Sequence, residues 1–281
     1  MTPSRVPGPE LGQHATAIAI DAVHRAAREL TGAQFVTRKS GLNDIVTEHD
    51  IAAERVIGEI LREAMPDSRI YGEEGAHYDG GGPVTWHVDP IDGTSNYAAG
   101  APLFCLSVGA TYGDQPLAGV IFDPSRGETF ATSENGITLN GTPVVPRGDD
   151  DVVDNDSVIL TNFPYEGAWY DDAHIAPYCA ILRSFRGVRR LGSSALALAW
   201  VAAGRAAVCC ELRTSPWDHA AGFALVHAAG GTIYMIDAHG TPTAGVSQTR
   251  AYIAAGPGFR LEGSSLENLL TVGHKEQGHD G

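Results

Sequence analysis

No run in this sequence approaches the ~18 consecutive apolar residues that a membrane span requires, and its opening, MTPSRVPGPELGQ, lacks the apolar core of a secretory signal. The expected location is therefore the cytoplasm. Cysteine is scarce: Cys105, Cys179, Cys209 and Cys210 form neither a C-x-x-C zinc pattern nor a dense disulfide scaffold, so buried free thiols are expected. Basic side chains are also few, 19 Lys and Arg against 34 Asp and Glu. The net charge of −15 opposes binding to a nucleic-acid backbone or an anionic membrane surface. The same charge repels a phosphorylated small molecule unless bound cations reverse the field locally, so the composition itself asks for a metal site.

What the chain does have is material for an extensive core. Hydrophobic residues make up 43% and charged residues 19% of 281, enough for one large α/β unit or two fused units. Leu11, Ala15, Ile18, Ala22, Ala26 and Leu30 recur at helical spacing before Gly32, and a polar loop through Lys39 and Gly41 follows. Thr47 is positioned to cap a second helix with Ile57, Ile60, Leu61 and Ala64 on its apolar face and Pro66 as its stop. Strand-like runs begin at Arg69 to Tyr71 and Val84 to Val88. From 103 to 145 apolar runs broken by Gly113-Asp114 and Asn140-Gly141 predict antiparallel hairpins.

The acidic stretch 146–156 is the expected linker, placing an N-terminal α+β half at 1–150 and a C-terminal α/β half at 151–272. In the second half, strands at Val158 to Thr161, Val188 to Leu191, Ala206 to Leu212, Thr232 to Ile236 and Tyr252 to Ala255 alternate with helices near 172–184, 193–203 and 217–229. The tail, 273–281, has nothing apolar to anchor it and is expected to be disordered.

Chemistry concentrates in a few acidic segments. In Trp86-His87-Val88-Asp89-Pro90-Ile91-Asp92-Gly93-Thr94-Ser95-Asn96 an apolar strand delivers two carboxylates and opens into a glycine turn. Hard divalent cations take oxygen ligands, and a carboxylate can bridge two of them. Successive N–H groups after Gly93 suit a phosphate at a helix start. Each segment also has an ordinary reading. Asp-x-x-Asp with Gly and Pro is common in turns, the paired glutamates of Gly72-Glu73-Glu74-Gly75 are typical of solvated surface, Asp218 in Trp217-Asp218-His219-Ala220-Ala221-Gly222 sits where a helix is capped, and Thr47-Glu48-His49-Asp50 reads as a capping box. His49, His87 and His219 adjoin these motifs, but hard cations do not call for nitrogen ligands, so they are read as structural.

Taken in order along the chain, Asp44-Ile45-Val46-Thr47-Glu48-His49-Asp50, Gly72-Glu73-Glu74, Asp89 to Asn96, Arg190-Leu191-Gly192-Ser193-Ser194-Ala195 and Trp217 to Gly222 give the sequence a specific resemblance. It resembles the inositol monophosphatase family, within the wider group of lithium-sensitive, magnesium-dependent phosphatases. The resemblance runs from about residue 11 to 272. It implies a layered αβαβα sandwich of the sugar-phosphatase type, combining α/β and α+β parts. It also implies two to three Mg²⁺ ions, with Mn²⁺ as a substitute, and a homodimer.

Carried over residue by residue, the resemblance makes Glu73, Asp89 and the Ile91 carbonyl ligands of a first ion, with Asp89, Asp92 and Asp218 ligands of a second. A third would lean on Glu73. Thr94, with Glu73 and Asp50, would orient and deprotonate the attacking water. The Gly93 and Thr94 amides would bind the phosphate, Asp92 and Ser95 would also contact the substrate, Glu211 would hydrogen-bond its hydroxyls and Ser194 would meet the sugar ring. The loop with Arg38 and Lys39 matches a mobile lid, and Arg213 is a further candidate for substrate contact.

The implied activity is hydrolysis of a small phosphate monoester, inositol monophosphate or a related sugar or cyclitol phosphate. Fructose-1,6-bisphosphatase, histidinol-phosphatase and nucleotide phosphatase activities are the alternatives within the wider group. A noncatalytic binding protein on the same fold is the alternative of another class.

Overall fold

Two short helix caps and a handful of small residues fix the frame that carries the acidic segments. The computed structural model describes residues 7–30, 36–40, 44–146, 154–165, 172–267 and 269. Helix α1 (Pro9–Ala26) opens on a proline and buries Ala15, Ile18, Ala19, Ala22 and Val23. The region expected as a polar loop is instead a hairpin of β1 (Val36–Ser40) and β2 (Asp44–Thr47), with Val36 paired to Thr47. The polar and basic residues of this stretch give no apolar alternation by which to read a strand. Helix α2 (Glu48–Ala64) starts on the expected capping box between Thr47 and Asp50.

Strands β3 (Arg69–Gly72), β4 (His77–Asp79), β5 (Val84–Asp92), β6 (Cys105–Tyr112), β7 (Gln115–Asp123), β8 (Glu128–Ser133), β9 (Gly136–Leu139) and β10 (Thr142–Val144) form one sheet in the order β10-β9-β8-β7-β6-β5-β3-β4. The short helix α3 (Thr94–Ala98) follows β5. The expected turns at Gly113-Asp114 and Asn140-Gly141 carry positive φ at all four residues. One face of this sheet packs Trp86, Val88, Leu106, Val108 and Val120 against α1 and α2.

The second sheet contains β11 (Val158–Thr161), β12 (Gly187–Arg189), β13 (Val208–Glu211), β14 (Thr232–Ile236) and β15 (Ala251–Ala255) in the order β12-β11-β13-β15-β14. It is mixed: β11 runs parallel to β12 and β13, whereas β15 runs antiparallel to β13 and β14. Helix α4 (Asp172–Ser184) lies near its outer face, where Ile181 and Phe185 join Ile159, Val208 and Ile253. Helices α5 (Ser194–Ala202) and α6 (Pro216–Ala228) fill the space between the two sheets, giving the layered αβαβα sandwich. Buried on every side, α5 is apolar almost throughout, which is why its sequence shows little amphipathic pattern.

Helix α6 follows β13 in sequence yet packs on the first sheet as well. Small residues permit it. A Cβ at Gly109 or Gly119 would collide with the backbone of Ala220 and Ala221, and one at Gly222 with Leu198. The Ala-Ala-Gly of the Trp217 to Gly222 segment is thus a close-packing surface that brings the N-terminus of α6 to the end of β5.

All four cysteines are free thiols, with Cys105, Cys209 and Cys210 buried and Cys179 half-buried. No helix among the described residues is long and apolar enough to cross a membrane. Residues 147–153 of the expected linker, the expected tail and the side chains of Arg38 and Lys39 lie outside the described residues.

Candidate active site

The site is assembled where β5 ends. Asp89 pairs with Ser107 and Asp92 with Cys105 of β6, and the register shifts between the two carboxylates. Asp89 is 2% exposed, and its Oδ1 accepts the Ile91 N–H at 3.1 Å. Asp92 Oδ2 accepts the Ser193 hydroxyl at 2.6 Å and the Ala195 N–H at 2.5 Å, so the carboxylate rests on the N-terminus of α5. Gly93, with φ of 97°, makes the turn into α3. A Cβ there would come within 2.9 Å of Leu103 O and 3.2 Å of Gly192 O, leaving room for no other residue.

Asp50 and Asp218 show that the ordinary reading and the functional one are compatible. Each closes a capping box: Asp50 Oδ2 accepts the Thr47 N–H at 2.7 Å, and Asp218 Oδ2 accepts the Ser215 N–H at 2.7 Å. One oxygen fixes the helix start and the rotamer. The other oxygen of Asp50 lies 3.3 Å from Thr94 Oγ1, which is also 3.0 Å from Ile91 O.

Glu73 follows β3, in a turn held by a residue that sequence reasoning passed over. Glu54 of α2, 4% exposed, accepts the N–H groups of Glu74 at 2.8 Å and Ala76 at 2.7 Å. Its signal was one helical turn from Asp50, on the same face of α2.

Electrostatics follow from burial and from like charges. Burial, then the charges of Glu73, Asp92 and Asp218, push the Asp89 carboxyl well above the usual range. Burial also raises Asp92, against the hydrogen bonds from Ser193 and the α5 amides. Asp218 is pushed up to about 7, first by burial and then by Asp92, and Asp50 is raised by burial against its bonds to Thr47 and Thr94. Glu73, Asp92 and Asp218 thus all stand close enough to Asp89 to act on it.

Among the described residues, no group of three or more His, Cys, Asp or Glu side chains is disposed to hold a metal ion as it stands. The chemistry of the set nonetheless fits a hard cation: every donor is oxygen, and the neighbouring charges acting on Asp89 are all carboxylates that such an ion would neutralise. Two of the adjoining histidines are hydrogen-bonded within the fold. His49 Nδ1 is 2.6 Å from the Tyr97 hydroxyl, and His219 is held through both ring nitrogens by Thr214 and the Val246 carbonyl.

Glu211, at the end of β13, is 2% exposed and pushed up to about 8, mainly by burial. Its Oε1 accepts the Asn162 N–H at 2.9 Å and its Oε2 the Tyr165 hydroxyl at 3.0 Å. Asn162 Nδ2 in turn donates to Ser194 Oγ at 3.2 Å. Arg213 is exposed and lies over the Tyr165 ring, 4.9 Å from its centroid. Asn162 and Tyr165 were not anticipated, although they follow the carboxyl end of a parallel strand, where α/β sites gather.

The sequence profile of the inositol monophosphatase family matches residues 10–271. An inositol-1-monophosphatase from Synechocystis is 35% identical over 226 residues, covering 78% of each chain. A protein named Nus factor SuhB from Pseudomonas aeruginosa is 37% identical over 196 residues, covering 68% of this chain and 72% of that one. The structure of inositol monophosphatase from Anabaena superposes with a TM-score of 0.73 at 32% identity, covering 93% of this chain and 95% of that one. With a match across nearly its whole length and an acidic cluster at the end of β5, the chain belongs to the inositol monophosphatase family.

Proposed function

We propose that the protein is a Mg²⁺-dependent phosphomonoesterase acting on inositol monophosphate or a related sugar or cyclitol phosphate. The observation that carries this reading is the convergence of Glu73, Asp89, Asp92 and Asp218 from three separate parts of the chain, with the acidity of Asp89 suppressed by burial and then by the charges of the other three. These side chains, with the Ile91 carbonyl, would hold Mg²⁺, two to three ions in all. When bound, Mg²⁺ makes water more acidic and neutralises charge growing on the departing ester oxygen.

The protein groups have distinct tasks. Thr94 Oγ1 takes a proton from the attacking water while its own hydrogen passes to Asp50 Oδ1, 3.3 Å away. Burial raises the proton affinity of Asp50 and so improves it as the terminal acceptor. Glu73 helps orient that water. The successive N–H groups of Gly93 and Thr94, with that of Ser95 after them, bind phosphate oxygens at the start of α3. Ser194 and Glu211 receive the hydroxyl-bearing part of the substrate.

Phosphate release from inositol 1-phosphate, measured with Mg²⁺ for the wild type and Asp92→Asn, tests the reading. Loss of at least a hundredfold in the variant is expected; equal rates in the two would refute it. Inhibition by millimolar Li⁺ and a dimer in sedimentation belong to the same reading. A second, noncatalytic reading is favoured by one observation, that relatives of 37% identity carry the name Nus factor SuhB. It would be supported by a wild type that turns over none of these phosphates.

A further inference from the structure

The two residues assigned to the hydroxyl-bearing end of the substrate, Ser194 and Glu211, come from different elements, yet a single residue joins them. Asn162 donates its backbone N–H to Glu211 Oε1 at 2.9 Å and its side-chain Nδ2 to Ser194 Oγ at 3.2 Å. Its side-chain Oδ1 accepts the Gly192 N–H at 2.9 Å, which anchors the amide against rotation, and its backbone carbonyl accepts Arg190 Nη2 at 3.1 Å. The second oxygen of Glu211 accepts the Tyr165 hydroxyl at 3.0 Å. That hydroxyl is fixed in turn, because it accepts the N–H groups of Leu212 at 2.6 Å and Arg213 at 2.9 Å and so must point its hydrogen at Glu211.

The directions of these bonds have a chemical consequence. Ser194 Oγ spends a lone pair on Asn162 and keeps its hydrogen to donate. Both oxygens of Glu211 accept from the protein, and in its ionised form, reached above about pH 8 in the metal-free chain, Glu211 can only accept and keeps a further lone pair on each oxygen. Asn162 therefore holds one donor and one acceptor at a fixed spacing. That pattern is the complement of a hydroxyl, which accepts and donates at once, or of two hydroxyls on adjacent carbons. A flat aryl ring or an unsubstituted chain offers neither.

We propose that Asn162 and Tyr165 are positioning residues that make this site selective for polyol phosphates, by orienting Ser194 as donor and Glu211 as acceptor. The proposal rests on the phosphatase reading above. Asn162 and Tyr165 need not touch the reacting phosphate, so their effect is carried in KM for hydroxylated substrates.

Two variants test it, with inositol 1-phosphate and 4-nitrophenyl phosphate as paired substrates at about pH 9, where Glu211 is ionised. Asn162→Asp keeps the size, the backbone bond to Glu211 and the acceptor for Gly192, but it presents Ser194 with an acceptor and so reverses the serine hydroxyl. Tyr165→Phe removes the partner of Glu211 Oε2. In each, the ratio of kcat/KM for inositol 1-phosphate to that for 4-nitrophenyl phosphate falls about tenfold, through KM, as expected when a site built to hydrogen-bond a hydroxyl is disarmed. A ratio unaltered in both variants, or parallel loss on both substrates with a lowered melting temperature, would overturn the proposal in favour of a purely structural role. A wild type that hydrolyses 4-nitrophenyl phosphate but no polyol phosphate would overturn the selectivity and leave the phosphatase reading intact. A wild type that hydrolyses neither would overturn both.

Discussion

The hydroxyl of Ser193 donates to Asp92 Oδ2 at 2.6 Å, tying the end of β5 to the start of α5 across 101 residues of sequence. The same Ser193 oxygen accepts the Leu196 N–H and so caps α5. Its removal disturbs a helix start and a candidate metal ligand together. Ser193→Ala is expected to cost about 1 kcal/mol for the lost cap and more for the lost bond to a buried carboxylate. The Mg²⁺ concentration for half-maximal phosphate release should rise about tenfold, as for other residues that orient a ligand. Thermal unfolding and a Mg²⁺ titration of activity measure the two effects separately.

Crowded, buried carboxylates give the metal-free protein an inverted response to pH. Asp218 and Glu211 hold their protons up to about 7 and about 8 in the folded chain, against ordinary values of 3.8 and 4.5. Through that interval the folded state binds more protons than the unfolded one, so their contribution to stability is present at low pH and is lost as pH rises toward about 8. Calorimetry in a chelator should show a melting temperature that falls between about pH 5 and about pH 8.5. Glu211→Gln should flatten that fall, and Mg²⁺ should raise the melting temperature most at the alkaline end.

The approach of α6 to the first sheet sets where Asp218 stands. Gly119→Ala places a methyl group against the Ala221 carbonyl and pushes the helix outward. A loss of about 1–3 kcal/mol is expected for such overpacking. Phosphate release should fall more steeply than the melting temperature alone would explain, because Asp218 moves with the helix. Comparing activity well below the melting transition with the unfolding curve separates the two.

Much of this was readable from the sequence where a residue's local chemistry and its global role coincide. The capping box at Thr47 and Asp50, the turns at Gly113-Asp114 and Asn140-Gly141 and the strand at Val158 to Thr161 announce themselves through neighbours in sequence. Apolar strand runs do not carry their partners' direction, which is why the second sheet reads as alternating strands and helices yet contains the antiparallel β13-β15 and β15-β14 pairs. The long-range bonds of Glu54, Ser193 and Asn162 were not legible for a related reason. Each acts on a segment distant in the chain, Glu54 on the Glu73 turn, Ser193 on Asp92 and Asn162 on Glu211 and Ser194, and nothing local distinguishes such a residue from a solvated one.

The central claim is that carboxylates from three parts of the chain enclose a cation site. Anomalous scattering from crystals grown with Mn²⁺ tests it most directly, since Mn²⁺ takes the same oxygen ligands as Mg²⁺. The account predicts at least two strong peaks bounded by Glu73, Asp89, Asp92 and Asp218. Crystals of protein that hydrolyses inositol 1-phosphate with Mn²⁺ in solution, yet show no peak among those four side chains, would contradict it.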